Sequence, residues 1–418
     1  MRPVTPWATE VFGLRIRHDG GAERIGDLVA PGLRRNPRRA HLLVSSVLGK
    51  HIAVSPDRVM AAGHRLGAAV AAGLAGQVEP VDVIGMAETA TGLGHCVADR
   101  LDAQMYLHTT RRPAPGRGCY AEFREEHSHA TDHSMQPSAA GLFDHDRTLV
   151  LVDDEISTGK TALAMIAELQ RLRARRRYVV ASLVDVRDDG QRAQVDAAAA
   201  ELGTRVEFVS LARGRVDLPE GLVERVCALA PPDLNRDLGA AGEFGTVQID
   251  WPAEVPVGGR HGFLAADRRA FADPLARAVD RIRATLDPGL AVLVVGHEEL
   301  MYLPLRIAEA LARNGFRVRY QTTTRSPAYV RDDPGYPLRR GWTFAPCEPG
   351  ETAPRYLYNG WPAAEAGPVQ LLLVLDEVAA AGDLEVAAVL AAAGHRVTVV
   401  RVNGPDIEAL GAYRAGTR

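Results

Sequence analysis

The residues best suited to chemistry lie in one stretch, Leu149-Val150-Leu151-Val152-Asp153-Asp154-Glu155-Ile156-Ser157-Thr158-Gly159-Lys160-Thr161. Four apolar residues predict a buried strand, two acids stand at its carboxyl end, and a turn rich in hydroxyls and glycine opens a helix. Ser, Thr and Gly let successive backbone N–H groups turn inward, and the helix N-terminus adds partial positive charge. Such a turn suits a phosphate monoester. The paired carboxylates just upstream suit the vicinal hydroxyls of a sugar. A Walker A loop would also end in Gly159-Lys160-Thr161, but it needs glycine where this chain has Asp154, and a carboxylate there repels a triphosphate. A purely structural turn leaves the adjacent acids unexplained, because open α/β sheets bind ligands along that edge.

The elements that must hold these residues alternate. A helix is predicted over Asp57–Gly76, a strand over Val81–Ile84, a helix near Leu93–Leu101 and a strand near Met105–Leu107. After a long polar segment come the strand Thr148–Val152, the helix Thr161–Arg173, the strand Tyr178–Val184, the helix Gln191–Leu202 and the strand Arg205–Ser210. Short β-rich runs alternating with helices imply βαβ units and a doubly wound parallel sheet. Dense Gly and Pro between 231 and 262 mark a junction, so domains are expected over 1–230 and 263–418. The second, smaller α/β domain has strands over Leu290–Val295, Phe316–Gln321, Gln370–Leu375 and Arg396–Val402, with helices over Pro304–Asn314 and Leu384–Ala393.

The halves also echo each other. Val83-Ile84-Gly85-Met86-Ala87-Glu88 is matched by Val294-Val295-Gly296-His297-Glu298-Glu299, and Thr109-Thr110-Arg111-Arg112-Pro113 by Thr323-Thr324-Arg325-Ser326-Pro327. The strand ending in Asp153-Asp154-Glu155 is matched by the one ending in Asp376-Glu377. The order is the same in both halves, as in a degenerate repeat; strand–Gly–helix grammar shared by any two parallel-sheet domains is the alternative.

Composition narrows the function classes. The 418 residues are 46% hydrophobic and 24% charged, as in a folded globular chain, and a formal charge of -3 gives no overall footprint for nucleic acid or anionic lipid. No apolar run has the length of a membrane span and the start lacks a signal-peptide core, so a cytoplasmic location is expected. Cys96, Cys119, Cys227 and Cys347 have no C-x-x-C spacing, which argues against structural zinc and disulfides.

The segment from Leu149 to Thr161 resembles the phosphoribosyl pyrophosphate (PRPP) signature of type I phosphoribosyltransferases. The resemblance implies that Asp153 and Asp154 bind the ribose hydroxyls, and that Glu155, Ser157, Thr158, Gly159, Lys160 and Thr161 surround the ribose 5-phosphate. It implies Mg²⁺ as cofactor, carried by PRPP with Asp153 and Asp154 as its nearest protein groups. It also implies a pyrophosphate loop, often with a strained peptide, at Met86, Ala87 and Glu88. Glu88 stands where orotate enzymes usually carry a basic residue, which argues against orotate. Thr324-Arg325-Ser326-Pro327 extends the resemblance to the phosphoribosyltransferase-like proteins of bacterial tellurium-resistance and stress clusters, whose C-terminal domain is named for Thr-Arg-Ser-Pro. That group implies a nucleoside-like product, with PRPP and a base or amine acceptor as substrates. A homodimer is expected.

The polar segment 109–140 has no strand or helix pattern; the resemblance implies that it is the loop that closes over pyrophosphate, with Arg111 and Arg112 as candidate leaving-group contacts, a solvated charged loop being the alternative. Within it, His127, His129 and His133 could hold a metal, or His127 or His129 could serve as general base. Lys50 and Lys160 are the only lysines in an Arg-rich chain. Lys50 is therefore a candidate anion contact, with a plain surface lysine as the alternative. In the second domain Arg260, His297, Glu298, Arg325, Ser326 and Asp376 are candidates for a second site, though Val378-Ala379-Ala380 lacks the hydroxyls of a phosphate cradle. A PRPP- or nucleotide-sensing regulator without turnover, and the reverse reaction, remain alternatives to synthesis.

Overall fold

A computed structural model of the chain describes residues 5–75, 80–113, 119–123, 133–235, 242–360, 369–380 and 384–416. Its larger sheet has seven strands in the order Arg15–Gly21, Arg205–Asp217, Arg177–Asp185, Leu149–Ile156, Asp82–Gly85, Met105–His108 and Phe263–Leu264. The inner five are parallel, and the two edge strands run antiparallel to their neighbours. Leu149, Val150, Leu151 and Val152 are all buried, as expected of a central parallel strand covered by helices on both faces. Helices follow from local signals. Pro56 opens Pro56–Gly73, and Asp188 with Gln191 forms a capping box before Asp189–Glu201.

The smaller sheet runs Phe244–Asp250, Arg396–Asn403, Val369–Leu375, Ala291–Gly296 and Val318–Thr322, all parallel. Its last four strands have the order fourth, third, first, second, which is also the order of Arg177–Asp185, Leu149–Ile156, Asp82–Gly85 and Met105–His108. Register agrees as well: Gly85 pairs with Val152 and Gly296 with Val374, so Asp154 and Asp376 stand at the same step beyond their partners. The repeated motifs thus sit at equivalent places in two modules of one topology.

Two expectations are modified. The junction 231–262 contains the strand Phe244–Asp250, which closes the edge of the second sheet. The polar segment 109–140 is not patternless, because Ala121–Phe123 pairs with His133–Met135. Strands this short carry too little periodicity to read. Gly341–Phe344 and Arg355–Tyr358 form the matching hairpin of the C-terminal module.

The modules exchange segments. Thr322 N–H donates to Gly49 O at 2.8 Å, which lays 49–54 of the N-terminal half against the C-terminal sheet, where Val54 bridges Tyr320. Reciprocally, His108 N–H donates to Gly259 O at 3.0 Å, and Phe263 pairs with Tyr106. One hydrophobic core then runs through both modules, joining Leu66, Val83 and Val97 to Val294, Leu303 and Leu311. Among the described residues no helix is long and apolar enough to cross a membrane.

Candidate functional site

Adjacent parallel strands whose connections leave in opposite directions open a crevice at their carboxyl ends. In the N-terminal module that crevice lies between Asp82–Gly85 and Leu149–Ile156. It brings together most of the residues singled out above. Asp153, Asp154 and Glu155 are half-buried at the strand end. Asp153 Oδ1 accepts from Asp154 N–H at 2.8 Å, and Glu155 is paired with Arg39 at 2.5 Å. Burial, and then Glu155, push the Asp154 carboxyl up, with Lys50 opposing. Among the described residues no arginine or lysine forms an ion pair with Asp154.

The turn after these acids is built for a small anion. Gly159 has φ +80°, and a Cβ there would lie 2.9 Å from Val195, so only glycine fits. Lys160–Leu172 starts behind it with glycine as its N-cap residue, and its first N–H donates to Thr158 Oγ1 at 3.3 Å. Lys160 and Thr161 belong to that first turn, and Lys160 is exposed.

Across the crevice, Met86 N–H donates to Val152 O at 2.8 Å and Ala87 N–H to Thr109 Oγ1 at 2.8 Å. The Ala87–Glu88 peptide is cis. Lys50 reaches this loop and donates to Thr89 Oγ1 at 2.5 Å. The exchanged segment thus places Lys50 beside this loop of its own chain.

Arg111 and Arg112 fare differently from expectation. Arg112 is buried and gives its guanidinium to Asp376 at 2.7 Å and Glu348 at 2.6 Å, both in the C-terminal module. It is thus not a leaving-group contact. Arg111 donates its N–H to Glu299 at 2.9 Å and sits 3.2 Å from His133 Nε2, while His133 Nδ1 meets Thr109 Oγ1 at 3.0 Å. With both ring nitrogens engaged, His133 is a structural residue of the hairpin; His127 and His129 lie outside the described residues.

In the C-terminal module the candidates converge on a closed cluster. Arg260 contacts Asp376 at 3.1 Å and Glu299 at 3.6 Å; Arg325 pairs with Glu298 at 2.9 Å, as does buried Arg355. Ser326 accepts through its backbone O from Tyr358 at 2.9 Å. Burial would raise the Asp376 carboxyl, but Arg112 and then Arg260 hold it far below the usual range. They likewise bring Glu299 down to about 2 against the effect of burial. His297, Glu298 and Glu348 place ligand atoms within 4.8 Å of one another. Each of these carboxylates already carries at least one guanidinium, so the set does not fit a cation. A cavity of about 100 Å³ beside Asp376 is walled by Arg260, Glu299, Met301, Tyr302 and Val378.

Glu299, Glu348 and Arg355 were not foreseen as site residues. One signal was available in the sequence: Gly49-Lys50-His51 and Gly259-Arg260-His261 share a glycine–base–histidine pattern, and the two segments make the reciprocal exchange.

The phosphoribosyl transferase family model matches residues 28–215, and the TRSP domain, described as C-terminal to that transferase, matches residues 257–392. The chain joins a phosphoribosyltransferase domain to a TRSP domain. Solved structures similar to part of this phosphoribosyltransferase include the adenine phosphoribosyl transferase of Trypanosoma brucei in complex with AMP, pyrophosphate and ribose-5-phosphate. It is 18% identical, with 36% of this chain and 64% of that one covered and a TM-score of 0.28. The adenine phosphoribosyltransferase of Rhodothermus marinus is 18% identical over 44% of this chain and 93% of its own, with a TM-score of 0.29. That of Leishmania tarentolae is 14% identical over 49% and 88%, with a TM-score of 0.30. No curated protein matches the chain.

Proposed function

We propose that the N-terminal module transfers the 5-phosphoribosyl group of PRPP to a nitrogenous base or amine and releases pyrophosphate. The observation that supports this reading is the placing, at one strand end, of the adjacent carboxylates of Asp153 and Asp154 beside a glycine turn that opens a helix. The turn of Ser157, Thr158 and Gly159 would bind the 5-phosphate through backbone N–H groups. Asp153 and Asp154 would accept from the ribose 2- and 3-hydroxyls and favour positive character at C1 as the bond to pyrophosphate lengthens.

Two adjacent half-buried carboxylates fit Mg²⁺, which takes oxygen ligands, keeps several waters and needs few protein groups. Bound with PRPP, it would supply Lewis-acid neutralisation of pyrophosphate, with Asp153 and Asp154 the nearest protein groups. Lys50, held beside Thr89 and within the field of Asp154, would orient the anionic end of PRPP. The peptide groups of Met86, Ala87 and Glu88 would face the pyrophosphate. Attack on C1 needs alignment more than acid–base chemistry, so positioning would supply much of the rate.

The expected product is a nucleoside-like metabolite of the kind suggested for tellurium-resistance and stress clusters, made in the cytoplasm. A homodimer remains part of this reading. The test is pyrophosphate release from PRPP and Mg²⁺ across a panel of bases and amines. Release with one acceptor class, reduced at least about tenfold in the Asp153→Asn/Asp154→Asn variant, is expected. Tight PRPP binding without release under any condition would favour the sensing regulator, and release that is unchanged in the variant would remove the ribose assignment.

A further inference from the structure

The two modules make the same bonds at equivalent positions. Thr109 N–H donates to Gly85 O at 3.0 Å, and Thr323 N–H to Gly296 O at 2.9 Å. Thr109 Oγ1 accepts from Ala87 N–H at 2.8 Å, and Thr323 Oγ1 from Glu298 N–H at 3.0 Å. Thr110 and Thr324 each bridge to their module's hairpin, at Ser134 and Tyr356. The next bond fixes the correspondence that matters. Thr110 Oγ1 accepts from Arg112 N–H, and Thr324 Oγ1 from Ser326 N–H, both at 3.1 Å.

Each of these loops also crosses to the other module in the same way. Glu299 accepts from Arg111 N–H at 2.9 Å, and Glu88 accepts from Arg325 N–H at 3.2 Å. Glu299 and Glu88 are themselves equivalent, lying the same distance beyond Gly296 and Gly85. The side chain at 112 therefore approaches the acid at the end of the third strand of the opposite module, Asp376. By the same relation, the position equivalent to 112 is 326, and the acid equivalent to Asp376 is Asp154.

We propose that this position acts as a stopper that sets which of the two sites is open. Arg112 takes up Asp376 and Glu348 of the C-terminal site with its guanidinium, leaving only the small cavity beside them, whereas Ser326 is too short to reach Asp154 and leaves the N-terminal site free for a pyrophosphate–divalent cation group. The proposal rests on the reading of the N-terminal module as a PRPP site. The ion pairs support it: Asp376 meets Arg112 at 2.7 Å and Arg260 at 3.1 Å. Arginine suits the stopper because its fork satisfies two carboxylates at once, here Asp376 and Glu348.

The test installs the stopper on the other side. Calorimetric titration of Ser326→Arg with PRPP and Mg²⁺ is expected to show affinity at least about tenfold below that of the unaltered chain, with melting temperature unchanged or raised. A folded S326R that binds PRPP like the unaltered chain overturns the proposal. Should S326R fail to fold, S326Q, with a shorter neutral arm, is expected to lower affinity in the same direction, and unchanged affinity in it is equally fatal. A second readout needs no PRPP. In a thermal-stability cycle of S326R and Asp154→Asn the two changes are expected to be non-additive, because the new guanidinium pairs with Asp154. Additive shifts contradict the proposal. Coupling in the cycle with no PRPP binding by the unaltered chain would instead sink the functional reading and leave the equivalence of positions 112 and 326 standing.

Discussion

Asp154 and Asp376 end the third strands of two sheets with the same order and register, yet they live in opposite electrostatic surroundings. Asp376 is buried between Arg112 and Arg260, which fix its charge. Asp154 stands at a strand end where, among the described residues, no arginine or lysine forms an ion pair with it, and Lys50 is the cation that acts on it. The downstream turns differ in parallel. Ser157-Thr158-Gly159 opens a helix whose first N–H donates to Thr158 Oγ1, whereas Asp376 itself accepts from Ala379 N–H at 3.1 Å and caps its own turn. A buried carboxylate needs a partner, from the chain or from a ligand. The C-terminal module supplies that partner from within; on the reading proposed above, a ligand would supply it in the N-terminal one.

Breaking the closed site should have the largest effect. Arg112→Ala leaves Asp376 and Glu348 buried with less compensation, and a loss of about 3–5 kcal/mol in denaturant unfolding is expected. A loss below about 1 kcal/mol would mean that Arg260 and Arg355 suffice without it. On the open side, Lys50→Ala removes one charged contact and should weaken PRPP binding about tenfold, or ~1.4 kcal/mol, with little change in melting temperature. Intact PRPP affinity in that variant would return Lys50 to the status of a surface lysine.

Acidification sharpens the contrast more gradually. Burial lowers His108 and His261 to about 4, so below the unfolded value near 6.5 the unfolded chain binds more protons, and stability falls as pH drops from about 6.5 towards 4. Glu299 and Glu348, held at about 2, extend the loss as pH falls from about 4.5 to 2. Because these groups line the contact between modules, hydrogen exchange should first increase in Thr109–Pro113 and in His297–Tyr302. An acid transition that begins elsewhere would show that the closed site does not hold the modules together. The smallest effect is expected of Arg325→Ala. Its backbone bond to Glu88 survives the change, so PRPP binding should stay within about twofold, and a larger loss in calorimetry would show that the side chain itself serves the open site.

Much of this was legible in the sequence because central parallel strands are continuous apolar runs and glycine turns punctuate them. Leu149–Ile156, Lys160–Leu172, Ala291–Gly296 and Val369–Leu375 all fall within a few residues of expectation. The edge strand Arg15–Gly21 was silent, since its exposed, charged residues carry no apolar alternation. The position of the strand-end acids and of the glycine turn after them was readable from local spacing. The destination of Arg112 was not. It depends on a contact between residues 264 positions apart, created only when two sheets face each other and exchange their Gly-base-His segments. Local patterning carries no trace of such pairing, though the internal repeat supplies the register from which it can be deduced.

The measurement that bears most directly on the asymmetry is the stoichiometry of PRPP binding to the intact chain in the presence of Mg²⁺, by calorimetry. One molecule per chain, lost in the Asp153→Asn/Asp154→Asn variant, is the predicted result. Two molecules per chain, or one that persists in that variant, would place a ligand in the site that Arg112 is said to close and would contradict the account.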